Sequence, residues 1–300
     1  MGPKVTDSRL IRLLDRGSVD PSAGGTILVF NADASELPAR LGKAATICEQ
    51  PLRPAYDALT RAGFRVSPRF QGKAGGAIVR ITRNRVESLG LVARALHSVS
   101  PSGLVVIDGN RTDGIEPLYK TVGSALAIQG TETLAHGRTF WLARPERLPG
   151  EIATWADAAG PSRNASGFIT QPGLFSSDGP DPGSEPLAAH LANQLAGRVS
   201  DLGAGWGWLA HRALATNPKI SRIDLYEADA RALEAAKANV PDPRAHAHWS
   251  DCSRPWTEAR AFDFVLSNPP FHRGRAADPG LGDAFIERAA AMLLPRGRLW

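Results

Sequence analysis

Short apolar runs alternate with helix-periodic stretches along nearly the whole chain, and the alternation stops once, in the middle, and starts again. That rhythm constrains the fold more than any other feature, because strands separated by helices pair in parallel and form a doubly wound sheet. In the first pass, strands are predicted at Thr26–Asn31, Ala45–Cys48, Phe64–Phe70, Ala77–Thr82 and Leu104–Asp108. Helices are predicted at Ser35–Leu41, Ala55–Ala62, Val86–Val99 and Ile115–Leu126, and a closing hairpin at Thr131–Ala135 and Thr139–Ala143 turns through His136-Gly137-Arg138. From Glu146 to Glu185 the composition shifts to Pro, Gly, Ser and Asp. The second pass then gives strands at Arg198–Leu202, Ser221–Tyr226, Ala245–Trp249, Phe262–Leu266 and Arg298–Trp300. Its helices are Pro186–Leu195, Trp208–Thr216, Ala230–Asn239 and Gly282–Leu294.

The expected organisation is therefore two tandem units of one α/β plan: residues 1–150, a linker or covering segment at 151–185, and residues 186–300. Pro101-Ser102-Gly103 before a strand in the first copy matches Pro295-Arg296-Gly297 in the second. Past that break the first copy continues through a strand, a helix and a hairpin, whereas the second stops at Trp300. Its last strands are expected to be missing from these 300 residues, since an unfinished sheet edge invites aggregation.

Chemistry concentrates at the ends of the second copy's strands, where open α/β sheets bind ligands. The run ending at Leu266 stops at Ser267-Asn268-Pro269-Pro270-Phe271-His272. Two prolines make a stiff corner. Asn268 offers a carboxamide oxygen and Pro269 a backbone carbonyl. Two acceptors one amino group apart suit an exocyclic NH2, and Phe271 supplies a face for a flat ring. An ordinary rigid loop would use the same residues, so the corner alone does not decide. Asp201-Leu202-Gly203-Ala204-Gly205-Trp206-Gly207 follows another strand and opens a helix. Trp208 stands where a dinucleotide fingerprint wants glycine. Glu227 and Asp251 close the next two strands. Any one of these acids could be a capping or solvated carboxylate; three in succession beside Asn-Pro-Pro-Phe point to a ligand.

The acid-then-glycine loop resembles motif I of class I S-adenosylmethionine-dependent methyltransferases. On that resemblance Glu227 accepts from the ribose hydroxyls and Asp251 receives the adenine amino group. The segment Phe168-Ile169-Thr170-Gln171-Pro172-Gly173-Leu174-Phe175-Ser176, then Asp178, Asp181, Gly183 and Ser184, then Asn268 to His272, makes the likeness specific. It closely resembles the bacterial rRNA guanine-N2 methyltransferases, best the type acting on 16S rRNA. Those enzymes are duplicated, with an N-terminal half that no longer binds the cofactor; the first copy's Asn31-Ala32-Asp33-Ala34 and Thr82-Arg83-Asn84-Arg85 fit that pattern. The resemblance implies catalytic roles for Asn268, Pro269 and Phe271. It implies cofactor contacts at Asp201, Gly203, Ala204, Gly205, Glu227, Asp251, Cys252 and Asn268. Substrate contacts are expected at Phe175, Pro270 and His272, with either Phe168 or Phe175 as a second face of the base pocket and Pro172–Ser184 folded over the cofactor's methionine end. His272 is read as shaping the substrate rather than as a base, because the product amine can lose its proton to water.

Asn-Pro-Pro-aromatic is shared with glutamine-N5 and adenine-N6 methyltransferases, so those activities are the nearest alternative. A non-catalytic RNA-binding assembly factor is a more distant one. Charge favours RNA in either case: residues 1–150 carry 20 Lys and Arg against 13 Asp and Glu, and residues 151–300 carry 15 against 17. Arg53, Arg61, Arg65, Arg69, Lys73, Arg80, Arg83 and Arg85 supply much of the excess, though a merely solvated surface would look similar. Met1–Leu10 contains no apolar signal core, no run is long enough to span a membrane, and the two cysteines, Cys48 and Cys252, have no metal-ligand spacing. A cytoplasmic monomer without a metal, acting on ribosomal RNA or the small subunit, is expected.

Overall fold

The computed structural model describes residues 5–269, 272, 273, 276, 277 and 279–300 and divides into two compact units, residues 1–160 and 161–300. The first unit contains α1 (Val5–Asp15), β1 (Ile27–Phe30), α2 (Glu36–Leu41), β2 (Thr46–Glu49), α3 (Arg53–Arg61), β3 (Arg65–Ser67) and β4 (Gly76–Arg80). It continues through α4 (Arg85–Ser98), β5 (Leu104–Asn110), α5 (Ile115–Ala125), β6 (Gly130–Leu134), β7 (Gly137–Ala143) and α6 (Gly150–Ala158). Its seven strands run in the order β3-β2-β1-β4-β5-β7-β6, parallel except for β7, which pairs antiparallel with both neighbours. Every residue of β1 is fully buried, as a central strand covered on both faces must be.

Two helices carry no clear signal in the sequence. One is α1, whose Arg9 is fully buried and interrupts the apolar stripe. Its guanidinium grips Asp108 with Nε–Oδ1 at 3.0 Å and Nη2–Oδ2 at 3.2 Å, and Nη2 also donates to Asn110 Oδ1 at 3.2 Å. The other is α6, lying in the stretch read as linker; it packs on α4, where a Cβ at Gly90 would collide with that of Ala159. The closing hairpin also turns differently from expectation. Ala135 and His136 are its left-handed turn residues, with φ of 50° and 57°. Gly137 belongs to β7, and any side chain there would strike the Arg9 guanidinium at 2.3 Å.

The second unit begins with the small ribbon β8 (Ser162–Arg163) and β9 (Ile169–Thr170), then α7 (Ser184–His190), β10 (Gly197–Leu202), α8 (Trp208–Thr216) and β11 (Ile220–Glu227). There follow α9 (Ala230–Asn239), β12 (Ala245–Trp249), β13 (Phe262–Leu266), the pair β14 (His272–Arg273) and β15 (Ala276–Ala277), α10 (Pro279–Met292) and β16 (Leu293–Leu299). The order β12-β11-β10-β13-β16 repeats the first five positions of the first sheet, all parallel. A left-handed residue recurs at the matching Pro-x-Gly: Ser102, ahead of β5, has φ of 65°, and Arg296, which lies inside β16, has φ of 72°. Asp229 caps α9 by accepting from Arg231 N at 2.9 Å, as its position before the helix suggests. Burying side chains such as Val199, Ile223 and Val265 contributes about 1.5–3 kcal/mol each.

Candidate active site

The parallel register brings the strand ends together. Leu266 of β13 pairs with Asp201 of β10, and Leu202 pairs with Tyr226 of β11. The Ser267 hydroxyl donates to the Leu202 carbonyl at 2.8 Å, so the Asn268 corner is tied to the start of the glycine loop. Gly203, Gly205 and Gly207 have φ of 80°, 55° and 87°, a region other residues enter only with strain. Gly205 N donates to Glu227 Oε2 and Asp229 N to Glu227 Oε1, each at 2.8 Å. Burial pushes the Glu227 carboxyl up, while these backbone donors pull it down.

Asp201 is 1% exposed, and its Oδ2 has no hydrogen-bond partner among the described residues. Burial first, and the charge of Glu227 second, push its carboxyl up to about 7. Asp201 faces an open cleft bounded by Gly203, Ala204 and Gly205 on one side and Asp181, Ser184 and Asn268 on another. Trp208 lines it too, and Phe175, 66% exposed, stands at its edge.

Asn268 is held by two contacts from a segment more than eighty residues away. Its Nδ2 donates to Asp181 Oδ1 at 2.7 Å and to Ser184 Oγ at 2.9 Å. A carboxylate can only accept, so the amide must turn its nitrogen toward Asp181 and leave Oδ1 on the other side. Oδ1 receives no hydrogen bond among the described residues. The covering segment is itself fastened down. Asn239, at the end of α9, donates to the carbonyls of Ile169 and Trp206 and accepts from Ile169 N, all at 2.8 Å. Trp206 Nε1 donates to the Phe175 carbonyl at 3.1 Å, and its ring lies 5.3 Å from Phe168. Phe168 is thus spent on packing, and Phe175 is the aromatic left available.

Other candidates stand apart from the cleft. Asp251 is 8% exposed, and its carboxylate accepts from Ser253 N, Ser253 Oγ and Arg254 Nε within its own turn. Cys252 is 2% exposed in the core with Phe262 and Phe285, and burial pushes its thiol up. Pro269 follows Asn268 at the corner. Pro270 and Phe271 lie outside the described residues, and of His272 only the backbone pairing with Ala277 is described. The roles of Asn239 and Trp206 had no signal in the sequence, because each depends on a partner distant along the chain.

The family model "Methyltransferase small domain" matches residues 165–300. A "Ribosomal RNA small subunit methyltransferase C" from Idiomarina loihiensis is 26% identical over 297 residues, covering 96% of this chain and 87% of that protein. One of the same name from Klebsiella pneumoniae is 36% identical over 133 residues, covering 43% and 38%. The T. thermophilus 16S rRNA N2 methyltransferase RsmC, solved with AdoMet and guanosine, superposes with a TM-score of 0.76 at 22% identity, covering 100% of this chain and 85% of that one. Over nearly its whole length the chain is similar to bacterial small-subunit ribosomal RNA methyltransferases.

The cofactor of such an enzyme is S-adenosylmethionine, and the cleft suits it. Among the described residues the lining holds Asp201 and a second carboxylate, Asp181, whose Oδ1 is already engaged by Asn268 and Gly183 N, and no Lys, Arg or His. That is a poor seat for phosphate and a good one for a molecule with cationic ammonium and sulfonium groups. The unpartnered Asp201 oxygen awaits a donor of that kind. Among the described residues no helix is long and apolar enough to cross a membrane.

Proposed function

We propose that the chain methylates the exocyclic N2 amine of a guanine in 16S ribosomal RNA, working as a cytoplasmic monomer on the RNA or the small subunit. The observation that supports this most is the orientation of Asn268, whose Oδ1 is turned away from Asp181 and so presents an acceptor, not a donor, to an incoming amino group.

Bound S-adenosylmethionine supplies a methyl group already activated by its sulfonium. The remaining task for the protein is to bind and orient the amine. A guanine NH2 is a poor nucleophile because its lone pair is delocalised into the ring. Accepting its two hydrogens at Asn268 Oδ1 and the Pro269 carbonyl favours a pyramidal nitrogen and holds it in place, which is where most of the acceleration arises. Asp201 favours the positive charge that develops on the nitrogen. Phe175 and Phe271 are the aromatic faces for a base drawn out of its helix. Asp201, Gly203, Ala204, Gly205 and Glu227 hold the cofactor, with Asp251 and Cys252 at the adenine end. His272 shapes the substrate side, and water takes the proton.

The first unit docks the RNA in this reading. Arg53, Arg80 and Arg83 pair with Asp57, Asp33 and Asp113. Arg61, Arg65, Arg69, Lys73 and Arg85 are exposed and have no carboxylate partner among the described residues, which leaves their charge for phosphates. The deciding experiment incubates small subunits and free rRNA with labelled cofactor and digests the product to nucleosides. N2-methylguanosine is expected; label in N6-methyladenosine, in protein glutamine or nowhere overturns the reading.

A further inference from the structure

We propose that Asp181 and Ser184 are positioning residues, which lock the Asn268 carboxamide in the one orientation that can receive an amino group; this rests on the guanine-N2 reading above. The two ends of a carboxamide are nearly the same size, and nothing steric stops Asn268 from rotating half a turn. Rotated, it would aim N–H donors at the N–H donors of the substrate. The choice must therefore be made by partners, and both Nδ2 hydrogens have one: Asp181 Oδ1 at 2.7 Å and Ser184 Oγ at 2.9 Å.

Asp181 is well placed to dictate the outcome. It cannot donate, so only one amide orientation satisfies it. Its Oδ1 is fixed in turn by Gly183 N at 2.8 Å, and its carbonyl accepts from Ser184 N at 2.9 Å where α7 begins. Ser184 is 9% exposed, which denies its hydroxyl most competition from water. Gly183 leaves the necessary room, since a Cβ there would lie 3.0 Å from Asp181 Oδ1 and 3.7 Å from both heteroatoms of the Asn268 amide. The carboxylate also does what a neutral acceptor could not. Its charge polarises the amide, enriches Oδ1 in electron density and strengthens its bond to an amine that is becoming positive. The segment over the cleft thus sets the polarity of the catalytic amide as well as covering the cofactor.

The bland alternative is that Asp181 merely shapes the turn before α7 through Gly183. Single-turnover rates, cofactor affinity and product nucleoside for Asp181→Ala, Asp181→Asn, Ser184→Ala, Asn268→Ala and the double variant Asp181→Ala with Asn268→Ala separate the two. Asp181→Ala is expected to slow transfer roughly 10- to 100-fold, the scale of a hydrogen bond to a charged group, with cofactor affinity within about twofold. Asp181→Asn keeps an acceptor oxygen without the charge and should recover part of the loss. Ser184→Ala should cost only a few-fold, roughly one neutral hydrogen bond. In the Asn268→Ala background, Asp181→Ala should add nothing, because its effect passes through that amide. The Asn268 side-chain amide protons, identified by their loss in Asn268→Ala, should exchange slowly with solvent in the parent and quickly in Asp181→Ala. An equal penalty in both backgrounds, an unchanged exchange rate or a collapse of cofactor affinity in Asp181→Asn overturns the positioning role. A product other than N2-methylguanosine, or an active Asn268→Ala variant, overturns the underlying reading instead.

Discussion

The two units end their second strands on the same residue type and use it in opposite ways. In the first, Glu49 is 3% exposed and tied to Arg94 by bonds of 2.6 and 2.5 Å, with Phe70 N donating to it at 2.8 Å. The Arg94 guanidinium lies 5.3 Å from the Phe30 ring, over the end of the first strand. In the second, Glu227 is held by backbone donors such as Gly205 N and Asp229 N, with no side-chain donor among the described residues. The asparagines after the fourth strand divide in the same way. Asn84 spends its side chain capping α4, accepting from Glu87 N at 3.0 Å, whereas the Asn268 oxygen receives no hydrogen bond among the described residues. The same sheet order can thus carry its strand-end polar groups either satisfied inside the protein or open toward a cleft.

The comparison is broken most severely at Asn268. Asn268→Ala is expected to cut methyl transfer by about 10²–10³-fold, on the scale of removing a group that stabilises developing charge, while cofactor affinity changes little. Loss of cofactor binding by the same factor would mean that Asn268 holds the loop rather than the substrate. The two glutamates make the next test. Glu227→Gln should weaken cofactor binding about 10- to 100-fold, on the scale of a hydrogen bond to a charged group. Glu49→Gln should leave cofactor binding alone and destabilise the first unit by about 2–3 kcal/mol, because Arg94 loses its counter-ion in a largely buried site. Titration calorimetry and urea unfolding read the two effects, and any cofactor effect of Glu49→Gln would undo the contrast.

Asp201 gives a pH-dependent version. Its carboxyl ionises near 7 in the folded chain instead of the ordinary 3.8, so in the unliganded protein stability should fall as pH rises between those values. A cationic ligand needs the ionised form, so affinity should instead rise through that upper limit. Below about pH 7 the dissociation constant should grow by up to about tenfold per pH unit, as a one-proton linkage requires. Asp201→Asn should flatten the profile, and a profile unchanged in that variant assigns the titration to another group.

What was legible in the sequence were features that repeat locally. The spans of α8, α9, β12 and β13 follow from periodicity and flanking turn residues, and strand ends are where parallel sheets bind ligands, so the glycine loop, Glu227 and Asn268 could be placed beside one another. What escaped was whatever depends on a distant partner. Arg9 reads as a surface charge until Asp108 is beside it, and it hid the helix around it. Gly137 reads as a turn residue until the same arginine fills the space a side chain would need. The clamp of Asp181 and Ser184 on Asn268 spans the chain between units of local pattern, and spacing alone carries no trace of it.

The smallest expected effect concerns the surface charge that separates the two halves. If the first unit docks RNA through phosphates, each lost contact removes a counterion release and lowers the slope of log affinity against log salt by about 0.7–0.9. Arg61, Arg65 and Arg69 suit the test, because they are exposed, lie on α3, on β3 and just beyond it, and have no carboxylate partner among the described residues. Replacing all three with glutamine should weaken binding at low salt, flatten the slope and leave the affinity for cofactor untouched. Matched substitution of Arg198, Lys219 and Arg260 in the second unit serves as the control. An equal loss of slope from either set would mean that net charge, rather than the first unit's face, attracts the RNA.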